Sequence, residues 1–150
     1  LVDEAKQDPP DPEKLDLIIG RIRDERGEPD IGFLKLAHLH LNNSGHAWSA
    51  RAQIVQIIAD NWRREGSVDA LCDMLIPGGA RDKRAEVRLI ALGALHQAAL
   101  LENDRSAQQT IKYCAVKGNE ASTKVSSSAE EMLRQNPSWR GGQDGPAAID

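Results

Sequence analysis

Aromatic residues are scarce in this chain of 150 residues: only Phe33, Trp48, Trp62, Tyr113 and Trp139. Sheets draw much of their packing from aromatic and β-branched side chains. A core here must instead come from small aliphatic side chains interdigitating between close-packed helices. Long apolar runs are missing too. No stretch approaches the ~20 apolar residues of a membrane span, and the first residues lack the basic start and apolar run of a secretory signal. The expectation is a soluble chain with no membrane span. It begins at Leu1 rather than Met, so the compartment stays open. Cysteine is nearly absent: Cys72 and Cys114 fall on apolar faces and are read as free, buried thiols, a usage that leans toward the cytoplasm.

A concentration of positive charge is also lacking. The net charge is −4, and residues 1–30 carry ten acids against five bases, residues 31–100 six against eight, and residues 101–150 seven against six. A duplex-binding protein gathers Lys and Arg on one face to displace counterions. Nucleic acid is therefore not the expected partner.

Helical periodicity is what the sequence supplies. An acidic, proline-containing lead-in over residues 1–11 gives way to a helix start at Asp11 and Pro12. Leu15, Ile18, Ile19 and Ile22 then form one stripe that ends at Gly27 and Pro29. Six further stripes follow. Ile31, Leu34, Ala37 and Leu41 mark the second helix. Ala50, Ile54, Ile57 and Ile58 mark the third, running to about Glu65. Val68, Leu71, Cys72 and Leu75 mark a short fourth, capped by Ser67 and closed by Pro77-Gly78-Gly79. Val87 to Ala98 give a long fifth, Ala107 to Ala115 a sixth after Asp104, and Val125 to Leu133 a seventh. No strand-like alternation competes. The expected class is all-α, with one domain over residues 12–135 and a loose tail over 136–150. Within that tail Trp139 either tucks back as a cap or serves as a docking element.

The stripes repeat. A shift of 37 residues carries Ile31 and Leu34 onto Val68 and Leu71, and Ala50, Arg51, Ile54 and Ile58 onto Val87, Arg88, Ala91 and Leu95. A further shift of 38 carries Val87, Ala91 and Leu95 onto Val125, Ala129 and Leu133. A helix pair written about three times, behind a leading helix, means a stacked array.

The copy from Val68 to Ala98 resembles the HEAT-repeat (armadillo-like) signature. It has an Asp in the inter-helix loop (Asp82), a Val-Arg pair opening the second helix (Val87-Arg88) and an Ala-x-x-Ala-Leu seam (Ala91, Ala94, Leu95). That resemblance implies an α-α superhelix of about three helix pairs, in which Asp82 and Arg88 hold successive repeats in register. Gly93 looks similar to the close-packed position of the lyase-type HEAT subfamily. The first copy keeps Arg51 but has Gly45 where the Asp would stand, and the third has Gly118.

Chemistry is weakly signalled. His38 and His40, two apart on a helix, point about 200° away from each other and do not chelate jointly. His46 lies beyond a turn and His96 reads as a lone surface residue, so no metal is expected. Residues 77–83 lack P-loop spacing and a preceding strand, and read as a connecting turn. Ser126 to Ser128 have no His-acid partner, and the adjacent Glu130 and Glu131 are read as solvated charge. No catalytic residue and no cofactor is assigned. The expected function is protein or peptide binding through the second-helix, concave face. The partner-binding candidates are Gln53, Gln56, Asp60, Trp62, Arg63, Gln97 and Lys124, with Trp and Arg as the usual interface anchors, although Trp62 reads first as a cap on the core. Two alternatives stay open: a HEAT-like enzyme of the bilin lyase or DNA glycosylase type, and an oligomerisation module.

Overall fold

The computed structural model describes residues 28–43 and 48–141. The expected leading helix behind Asp11 and Pro12, its lead-in, Gly45, His46 and the last nine residues lie outside them. Among the described residues there are seven helices and no β-strand: α1 (Ile31–Asn43), α2 (Trp48–Asp60), α3 (Ser67–Asp73), α4 (Ala85–Leu101), α5 (Arg105–Ala115), α6 (Thr123–Gln135) and α7 (Pro137–Gly141). The chain is all-α, as its periodicity dictates. No helix among the described residues is long and apolar enough to cross a membrane.

Local chemistry sets the helix ends. Asp30 accepts from the Phe33 amide at the start of α1 (3.1 Å). Asp104 and Ser122 cap α5 and α6 by accepting from the amides of Ala107 (2.9 Å) and Val125 (3.4 Å), which satisfies donors that have no intrahelical partner. Two expectations fail at the turn after α2. That helix ends at Asp60, five residues short of Glu65, where the bonding tightens to three-residue spacing: the Asn61 amide reaches the Ile58 carbonyl and the Arg64 amide that of Asn61, while the Asn61 side chain donates to Ile57. Ser67 does not cap α3. Its hydroxyl donates back to the Asn61 carbonyl (2.8 Å), and Gly66, at φ +87°, is the residue preceding the helix. That left-handed backbone disfavours any side chain.

Consecutive helices pack as pairs, α1 on α2, α3 on α4 and α5 on α6, with α2, α4 and α6 in one row and α3 beside α5 in the other. The central helix is α4, which touches α2, α3, α5 and α6. Short connections make neighbours antiparallel, so the loops fall on two opposite edges. Turns between pairs (61–66 and 102–104) lie on one, and loops within pairs (74–84 and 116–122) on the other. Leu34, Ile54, Leu71, Leu92, Leu95 and Ile111 are fully buried between the rows. Phe33 and Leu36 on α1 are left 52% and 66% exposed.

The start of the expected tail is ordered as α7, which seats against α5 and α6. Trp139 stands edge-on to His96 at 6.1 Å. His96 is therefore half-buried, not the surface residue its isolation in the sequence suggested, and burial pushes its pKa down.

Candidate functional site

Two buried ion clusters lock the helix pairs together on the loop edge. Asp82, with no exposed surface, accepts from Arg51 on α2 (2.9 and 3.2 Å), from His38 Nε2 on α1 (2.7 Å) and from the backbone amide of Arg84 (2.8 Å). An ionised carboxylate is only an acceptor, so His38 carries its proton on Nε2. Asn42 pins the same loop, donating to the Arg81 carbonyl (2.7 Å) and accepting from the Lys83 amide (3.2 Å).

One pair further on the arrangement repeats. Glu120, in the loop before α6, takes a two-pronged contact from Arg88 (3.0 and 2.7 Å), a third from Arg81 (3.3 Å) and the Ser122 amide (2.8 Å). Arg88 also donates to the Asp82 carbonyl (2.9 Å). Each acid thus receives the arginine of the preceding second helix and the amide two residues on. Asp82 and Arg88 both take part in tying the pairs together, but with different partners, Arg51 and Glu120. The sequence had given the third acid's place to Gly118. It belongs to Glu120, which a shift of 38 from Asp82 reaches directly.

Burial alone would push both carboxyls up. For Asp82, hydrogen bonds from His38, Arg51 and the Arg84 amide, with the Arg51 charge, outweigh that and hold it below the usual 3.8. For Glu120, hydrogen bonds from Arg88 and the Ser122 amide, with the charges of Arg88 and Arg81, hold it below the usual 4.5. Lowered folded-state values contribute stability above the ordinary carboxylate range and lose it as pH falls through the folded values. The denaturation midpoint is expected to fall steeply below about pH 4.5, and less steeply for Glu120→Gln, whose amide no longer titrates. A midpoint level from neutral pH into strong acid would rule this linkage out.

The second feature is an open trough of about 440 Å³ between α2 and α4. Gln56, Asp60 and Trp62 form one wall, and Leu89, Ile90, Gly93 and Gln97 line the α4 side. Gln56 donates to Asp60 (2.8 Å), and the Arg63 guanidinium lies 4.3 Å over the Trp62 ring, a cation–π contact that holds both in place. Four of the seven sequence candidates thus meet around one depression. Gln53 is exposed one turn before Gln56 without lining it, and Arg63 reaches it only through Trp62. Lys124 stands elsewhere, on α6 beside Glu86. The apolar lining from Leu89 and Ile90 was not anticipated.

Gly93 departs most from its expected role. It is exposed, in mid-helix, and a Cβ built on it would meet nothing within 4 Å. It is not a close-packed position. Interior helical glycine is about 1 kcal/mol less favourable than alanine, and no packing contact compensates for it. What its missing side chain does leave is depth in the trough.

Among the described residues no three His, Cys, Asp or Glu side chains gather in a way that could hold a metal; His38 is committed to Asp82. Both cysteines are free and buried. Burial pushes the thiols up to about 11 for Cys72 and about 12 for Cys114, so neither is a nucleophile near neutral pH. Compared with protein-family models, with curated proteins and with solved structures, the chain finds no match.

Proposed function

We propose that this chain is a non-enzymatic binding module of HEAT-like architecture that takes a segment of another protein in the trough between α2 and α4, without a cofactor. Gly93 carries this reading. A helix-interior glycine with free space around it weakens α4 and returns nothing to the core, whereas it deepens a depression walled by Trp62 and rimmed by Gln56, Asp60 and Gln97. Binding grooves of this kind combine an apolar floor with a few polar groups that fix orientation. The Arg63-braced Trp62 supplies a rigid aromatic anchor.

Peptides selected on the wild-type chain from a displayed random library provide the test. Gly93→Ala is expected to stabilise the fold by up to about 1 kcal/mol, read as a raised denaturation midpoint, and to leave binding nearly intact because one methyl takes little of the trough. Gly93→Leu should fill the trough and weaken the selected peptides by at least about tenfold, or about 1.4 kcal/mol. Peptides that bind Gly93→Leu as well as wild type would place the binding face elsewhere.

A further inference from the structure

The loop edge is cationic in a way that its sequence conceals. Arg51, residues 77–88 and residues 116–124 together carry seven bases against three acids. Two of those acids, Asp82 and Glu120, are buried and turned inward onto Arg51 and Arg88. Only Glu86 remains outside, paired to Arg84. Lys83, Lys117 and Lys124 are exposed and make no ion pair among the described residues. The opposite edge, residues 28–30, 60–69 and 102–105, has seven acids against three bases. A chain of net charge −4 therefore presents one positive border and one negative one.

We propose that the positive border, from Lys83 to Lys124, is a docking surface for an acidic segment of a partner protein. Charge complementarity selects the sign of the partner and speeds its approach. The arrangement argues against a nucleic acid. Stacking of unpaired bases needs open aromatic faces, and Trp48, at the start of α2, already has the Arg84 guanidinium 4.3 Å over its ring. The rest of the chain is acidic and repels a polyanion too long to stay on the border. A second copy offers its negative edge, but such a head-to-tail contact leaves one border of each end copy open and would propagate into a ring or a filament. An isolated acidic segment meets neither obstacle. This border is separate from the trough, and neither proposal depends on the other.

The experiment measures fluorescence anisotropy of a labelled hexaglutamate peptide with the full chain at low and physiological salt, beside an oligothymidylate of equal charge. Hexaglutamate is expected to bind at low salt and weaken as salt screens the contact. Lys83→Glu/Lys124→Glu should weaken it at least about tenfold with the helical circular dichroism unchanged. Lys35→Glu, on α1 beside Asp73, should leave it unchanged. Absence of binding at low salt, equal weakening by Lys35→Glu, or tighter binding of the oligothymidylate would overturn the proposal. So would growth in light scattering with protein concentration that the double reversal abolishes, because the border would then pair with copies of the chain.

Discussion

Asp82→Ala is expected to destabilise the chain by about 3–5 kcal/mol, the range for removing one partner of a buried ion pair. The loss comes less from the missing carboxylate than from what it leaves behind: the Arg51 guanidinium, the His38 Nε2–H and the Arg84 amide, all facing a site without an acceptor. Unpaired buried donors carry their full desolvation penalty. An apolar replacement of the pair separates the two effects. Asp82→Leu with Arg51→Met removes the charge together with its partner, and is expected to be less damaging than Asp82→Ala alone, although it still leaves His38 and the Arg84 amide to find other partners. Denaturant midpoints of the three proteins, measured at neutral pH, decide the matter. A double variant as unstable as Asp82→Ala would mean that shape, and not stranded charge, sets the loss.

Leu95→Ala should cost about 2–5 kcal/mol. Leu95 is fully buried on α4, the helix that touches α2, α3, α5 and α6, and helices held by several neighbours relax only partly into a vacated volume. Leu101→Ala in the same helix is the matched control. Its side chain is exposed, and the change should stay within about 0.5 kcal/mol. Comparable losses at the two positions would mean that α4 is not the packing centre.

The sequence made the helices legible because their apolar stripes are regular, and the repeat legible because Arg51 and Arg88 sit 37 residues apart with matching neighbours. Several of its misreadings share one cause: polar side chains performing interior tasks. His38 and Asn42 continue the stripe begun by Ile31 and Leu34, and all four are buried. Hydropathy favoured Ala37 and Leu41, which are only half-covered, because nothing local announces that a distant loop will bring Asp82 to His38 or its backbone to Asn42. The end of α2 at Asp60 coincides with a tightened turn and an Asn61 side-chain contact that a stripe of apolar positions does not register. The trough was half visible. Spacing put Gln56 and Asp60 on one face and Gln97 on the neighbouring second helix, but only the packing of the helices brings Trp62 to that face and turns Gly93 outward.

The buried clasps also bear on how the stack divides. The carboxylate that each clasp arginine holds belongs to the following helix pair: Arg51 reaches that of Asp82, and Arg88 that of Glu120. Sever the chain in the turn before Ser67 and one fragment keeps Arg51 without its anion, while the other keeps Asp82 without its cation. Cutting before Arg105 strands Arg88 and Glu120 in the same manner. No helix pair here is a self-sufficient piece, and the smallest unit that retains both clasps extends from α1 to the first turn of α6.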